Sequence, residues 1–98
     1  MKGRLLYRDA NGRDSAVDVL IEGSYLGRAA DCAIRTDDAM VSRRNCRVFR
    51  EGKTWHVEDL NSSNGTFVNR TKIYPAQPRP LNVNDVIQIG TVQLKLIV

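Results

Sequence analysis

The chain has 98 residues, is 42% hydrophobic, and carries 15 Lys+Arg against 11 Asp+Glu, a formal charge of +4. That length accommodates one domain with one core and excludes a second core beside it. No apolar run is long enough for a membrane-spanning helix, and Met1-Lys2-Gly3-Arg4 lacks the apolar block of a secretory signal.

The positive balance favours anionic partners: phosphopeptides, nucleic acid or acidic lipid. Two cysteines, Cys32 and Cys46, are too few for a disulfide framework, and with one His they make a poor metal set. They read as reduced, partly buried thiols of a cytoplasmic domain. A strand is expected to start almost at the N-terminus and another to end at Val98. That layout is expected of a single domain, residues 1–98, taken from a longer multidomain protein, or of a very compact one.

Taken in chain order, short runs with period-2 alternation predict β-strands. The runs 2–8 and 15–21 flank Asn11-Gly12, a pair that tolerates the positive φ of a tight hairpin. Val17, Val19 and Ile21 share one predicted face. The stretch 29–40 could pass for a helix, but its apolar residues are clustered rather than spread along a stripe, so its state stays open. The runs 46–50 and 54–59 flank Glu51-Gly52, with Trp55 and Val57 alternating with His56 and Glu58. Pro75, Pro78 and Pro80 crowd one loop, which a central strand would not tolerate. The runs 86–89 and 92–98 flank Gly90, and Val92, Leu94 and Leu96 alternate with Gln93 and Lys95. Many short strands at regular spacing predict an all-β sandwich or barrel.

Three connections, 27–31, 36–45 and 60–66, are rich in Arg, Ser, Asn and Gly. They fall at strand ends, so they could converge on one rim, where binding residues concentrate. A phosphate-reading rim needs an arginine fork, small hydroxyl donors and backbone amides exposed by tight turns. Arg28, Ser42, Arg43, Arg44 and the run Ser62-Ser63-Asn64-Gly65-Thr66 supply those groups. Read alone, each has an ordinary alternative. Arg28, Arg43 and Arg44 could be solvated charge, Ser42 could cap a turn, and Ser63 and Asn64 could stabilise their own loop. Asp59 closes a strand and is expected to anchor the 62–66 loop.

The order of these motifs resembles the forkhead-associated (FHA) domain family. The matching residues are Gly27-Arg28, then Val41-Ser42-Arg43-Arg44-Asn45, then the block from Asp59 to Asn69, then Asn84-Asp85-Val86-Ile87-Gln88-Ile89-Gly90. The resemblance implies an eleven-stranded β-sandwich of two twisted sheets with binding loops at one end. It implies a module that recognises a threonine-phosphorylated protein or peptide, in trans or within the parent protein. On that basis Arg28 and Ser42 hold the phosphate, Arg43 adds contacts, Ser63 lies beside the phosphate, and Asn64 bonds the peptide main chain. Gly27, Gly65 and Thr66 shape the loops, Asn69 ties loops together, and Met40 is the candidate for reading the third residue after the phosphothreonine. Two positions depart from the family. Asn45 stands where His is usual and could leave the loop looser, and Asn84 stands where Gly commonly precedes Asp.

The expected domain is monomeric, with no cofactor, no metal, no membrane contact and no nucleic acid. Its aromatic residues form no aromatic-basic stripe in sequence of the kind that stacks bases. No adjacent nucleophile–base pair, metal cluster or phosphate loop followed by a helix points to catalysis. The competing reading is the same fold used for phosphate-independent protein binding.

Overall fold

In β5 (Cys46–Glu51) and β6 (Thr54–Asp59), alternate side chains turn inward. Cys46, Val48, Trp55, Val57 and Asp59 are buried, while Arg47, Phe49, His56 and Glu58 line the other face. The same two-residue period organises β11 (Val92–Ile97), where Leu94 and Leu96 are buried and Gln93 and Lys95 are exposed. The computed structural model describes residues 3–8 and 12–98. None of them is helical, and no helix is long and apolar enough to cross a membrane.

The other strands are β1 (Arg4–Arg8), β2 (Asp14–Asp18), β3 (Ser24–Gly27), β4 (Ile34–Arg35), β7 (Phe67–Val68), β8 (Thr71–Lys72), β9 (Arg79–Leu81) and β10 (Val86–Ile89). They form a six-stranded sheet, β2-β1-β11-β10-β7-β8, and a five-stranded sheet, β4-β3-β5-β6-β9. Every pairing is antiparallel except β3 with β4. The core lies between the sheets. Leu5, Leu94, Leu96, Ile87 and Ile89 come from one, and Leu26, Val48, Val57 and Trp55 from the other. Fully burying side chains of this kind stabilises the fold by about 1.5–3 kcal/mol each.

The ambiguous 29–40 stretch contains no helix; it holds the two-residue strand β4 between turns. β2 ends at Asp18, so Ile21 leaves the face of Val17 and Val19 and stands 55% exposed in the following turn. Pro80 lies in β9, at the edge of its sheet, where a missing ladder N–H is tolerated. Asn84 has φ 76, a left-handed conformation that Asn adopts more readily than most residues. Asn11 and Lys2 lie outside the described residues.

Two features orient the molecule. β3, β5 and β6 meet at their Leu26, Cys46 and Asp59 ends, which gathers the 28–33, 36–45 and 60–66 loops at one pole. At the other pole, a side chain at Gly3 would run into the indole ring of Trp55, near the β5–β6 hairpin. There Arg4 and Ile97 are Cα partners, and the amide of Val19 donates to the carbonyl of Gly3.

Candidate functional site

The loop pole begins with a close approach of two backbones. The amides of Arg28 and Ala29 donate to the carbonyls of Ser42 and Arg43 at 3.1 and 2.9 Å. A Cβ at Gly27 would overlap the carbonyl of Arg43 and lie 2.7 Å from that of Ser42. Glycine is therefore required where β3 hands over to Arg28, because any side chain would push the Ser42 loop away.

Beneath the loops sits a closed polar network. Buried polar or charged residues are costly unless their partners are supplied, and Asn45, Asp59 and Thr66 supply one another. The Asn45 carboxamide oxygen accepts from the Ser42 amide at 3.0 Å. Its nitrogen donates to the Gly65 carbonyl at 3.2 Å and to the Thr66 hydroxyl at 3.0 Å. The Thr66 hydroxyl in turn donates to Asp59 at 2.6 Å. Asp59 also accepts from the Ser62 hydroxyl at 2.6 Å and the Ser62 amide at 3.1 Å, and the Ser62 hydroxyl accepts from the Gly65 amide at 3.0 Å. Asn45 is fully buried, and its short side chain closes the gap between the 36–45 and 60–66 loops. Gly65 has φ 92, which suits the turn between Asn64 and Thr66.

Above this network the rim is exposed. The Ser42 hydroxyl accepts from the Ser63 amide at 3.0 Å. The Asn64 side chain donates to the Met40 carbonyl at 2.9 Å, and its carboxamide oxygen has no partner among the described residues. Arg28 donates through Nε to the Val41 carbonyl, and its terminal nitrogens have no partner among the described residues. The structure thus brings Gly27, Arg28, Met40, Ser42, Asn45, Ser63, Asn64, Gly65 and Thr66 into one hydrogen-bonded cluster.

The Arg43 side chain and Asn69 stand apart from it. Arg43 is exposed, and its carbonyl, besides the Ala29 amide, accepts from the Cys32 thiol at 3.4 Å. Arg44 is not free charge: it pairs with Asp31 and lies 4.6 Å over the Tyr25 ring. Asn69 lies in the β7–β8 turn. Its oxygen accepts from the Val86 amide at 3.0 Å and its nitrogen donates to Asp85 at 3.0 Å.

Two arrangements escape sequence reading. Asp38 reaches across to Thr91, 53 positions away, accepting from its amide at 2.8 Å and its hydroxyl at 2.7 Å. These bonds and a third from the Met40 amide hold the Asp38 carboxyl below the usual aspartate range. No local pattern marks such a pair. The second is a correction: an aromatic-basic stripe does exist, on the outer face of β3, β5 and β6. The strand register sets Tyr25 opposite Arg47 and Phe49 opposite His56. Arg47 lies 4.3 Å over Phe49, which stacks with His56 at 5.3 Å. The rings are covered by these neighbours, so this is side-chain packing and not a base-stacking platform.

A groove of about 1020 Å³ is lined by residues 34–38 and 91–95 together with Asp14, Val86 and part of β1. It contains neither Arg28 nor Ser42 nor Ser63. Arg28, Ser63 and Asn64 instead stand on exposed surface apart from that groove. Among the described residues, no group of three or more His, Cys, Asp or Glu could hold a metal ion.

The FHA domain family model matches residues 11–90. The chain belongs to the FHA domain family. Among curated relatives, it is 35% identical over 71 residues to the FHA domain-containing protein FhaB of Mycobacterium tuberculosis, covering 72% of this chain and 44% of FhaB. It is 35% identical over 77 residues to the probable E3 ubiquitin-protein ligase dma1 of Schizosaccharomyces pombe, covering 67% of this chain and 29% of dma1. This FHA chain thus spans less than half the length of either relative. Among solved structures, one described as a structural and functional analysis of phosphothreonine-dependent FHA domain interactions aligns with TM-score 0.81 and 30% identity. That alignment covers 100% of this chain and 97% of the other.

Proposed function

We propose that this FHA domain is a phosphothreonine reader, a binding module without catalysis that recruits a threonine-phosphorylated protein in signalling. The observation that carries the reading is the convergence of Arg28, Ser42, Ser63 and Asn64 on one exposed rim whose backbone is already tied in place. The terminal nitrogens of Arg28 and the Ser42 hydroxyl take the phosphate oxygens, with Ser63 beside them. The Asn64 carboxamide oxygen takes a main-chain N–H of the ligand, and Arg43 adds charge from the margin. A phosphate carries about −1.5 to −2 charge and three acceptor oxygens, which matches an arginine fork and hydroxyls better than a planar carboxylate does. Threonine is preferred to serine because its extra methyl can be buried, worth about 0.8 kcal/mol.

The same reading treats residues 1–98 as one domain of a longer protein and places it in the cytoplasm, where Cys32 and Cys46 stay as free thiols. Any catalytic activity of the parent protein would belong to its other segments.

The test is calorimetric titration with a flank-degenerate peptide pool carrying phosphothreonine, phosphoserine or no phosphate. Binding confined to the phosphothreonine pool, and lost in Arg28→Ala, is the expected result. Equal binding to all three pools would overturn it and turn the search to phosphate-independent partners.

A further inference from the structure

Residues 40–43 carry the rim, and their backbone is fixed from several directions. The Ser42 amide is held by Asn45, the Met40 carbonyl by Asn64, the Val41 carbonyl by Arg28, and the Ser42 and Arg43 carbonyls by the Arg28 and Ala29 amides. Each of those ties comes from a loop that also belongs to the phosphate rim.

Asp38 is different, because it couples this segment to a part of the molecule with no place in that rim. One carboxylate oxygen accepts from the Met40 amide at 2.9 Å. The other accepts from both the amide and the hydroxyl of Thr91, in the β10–β11 turn. The Asp38 carbonyl accepts from the Val41 amide at 3.0 Å, so the same residue pins both ends of the 38–41 turn. The β10–β11 turn is moulded to fit. Gly90 has φ 55, and a Cβ there would lie 2.6 Å from the Asp38 carboxylate and 2.8 Å from the Val41 side chain. Out of this doubly anchored turn stands Met40, 52% exposed and joined to the rim by the bond from Asn64 to its carbonyl. A thioether at a recognition surface is a soft, adaptable apolar contact.

We propose that Asp38 and Thr91 are positioning residues for ligand selectivity: they hold Met40 against an apolar residue flanking the phosphothreonine, so that the β10–β11 turn tunes which phosphopeptides this domain prefers. The inference rests on the phosphothreonine reading above but concerns its selectivity, not its phosphate contacts. Thr91 touches none of the phosphate-binding groups, so its effect should separate from theirs.

The test is fluorescence anisotropy on wild type, Thr91→Val, Thr91→Ser, Asp38→Asn and Met40→Ala. The probes are two phosphothreonine peptides chosen from the degenerate pool, one with the preferred apolar flank and one with a polar residue at that position. The quantity read is the ratio of the two affinities. Thr91→Val and Asp38→Asn should each lower that ratio about fivefold, the worth of roughly one net hydrogen bond, while binding stays phosphate-dependent. Thr91→Ser, which restores the hydroxyl, should restore the ratio, and Met40→Ala should flatten it as Thr91→Val does. An unchanged ratio in Thr91→Val, even with a lowered melting temperature, would overturn the proposal and leave the phosphothreonine reading standing. If Thr91→Val does not fold, Met40→Ala decides: a retained ratio there overturns the proposal. Failure of wild type to bind either phosphopeptide overturns the underlying reading and the proposal together.

Discussion

At the scale of single residues, Asn45 ties the two rim loops together through one short side chain. Its carboxamide makes three bonds, to Ser42, Gly65 and Thr66. Asn45→Ala would strand the Ser42 amide and the Gly65 carbonyl in a buried site. It should cost about 2–4 kcal/mol, measured as a shift in the urea unfolding midpoint, and should weaken phosphopeptide binding as the two loops part. Arg28→Ala removes the fork itself and should lower affinity roughly ten- to a hundredfold with little change in melting temperature, since charge-assisted bonds contribute about 1.5–3 kcal/mol each. The thiols belong to this scale too. Burial pushes the Cys46 thiol far up and the Cys32 thiol up more modestly. A thiol reagent at neutral pH should therefore modify Cys32 slowly and Cys46 only in denaturant. Rapid labelling of Cys46 in the native protein would contradict that burial.

At the scale of elements, legibility tracks length. β5, β6, β10 and β11 each give four to six residues of alternation, and their bounds agree with sequence reading to within a residue. β4, β7 and β8 have two residues each, too few to carry a period. β9 hides in a proline-rich stretch because only its edge position makes Pro80 acceptable. The rim residues were legible as a set because their types and order resemble a family. The Asp38–Thr91 bridge was not, because it depends on which strand ends meet in space. Gly27 belongs to this scale as well: it is the contact point of β3 with the Ser42 loop, and Gly27→Ala should destabilise by about 1–3 kcal/mol through overpacking and disrupt binding with it. Asn69→Ala offers the contrast. It would free the Val86 amide and Asp85 and place a Cβ-only residue at φ 49, costing about 1–2 kcal/mol in unfolding experiments. The ratio of affinities for different phosphopeptides should not change, because the β7–β8 turn lies off the rim.

At the scale of the whole molecule, pH separates ligand from protein. The second ionisation of a phosphate lies near ~6, so affinity should fall as the pH drops from about 7 to about 5. The Asp38 carboxyl is held below its ordinary range. Its three bonds therefore favour the fold above that range and are lost only as the pH falls through the lowered value. Down to about pH 5 the rim should thus keep its shape while the ligand loses charge. Wild type and Asp38→Asn should show parallel pH profiles over that interval by anisotropy titration. A steeper profile in wild type would mean that a protein group titrates there instead.

Arg4 and Ile97 sit side by side at the pole away from the loops. A domain whose first and last strands are neighbours can be spliced into a host chain like a plug with adjacent pins, with little strain on either flank. A tether, fluorophore or surface linkage attached at that pole would leave the Arg28 rim facing the opposite direction, open to whatever phosphorylated chain arrives.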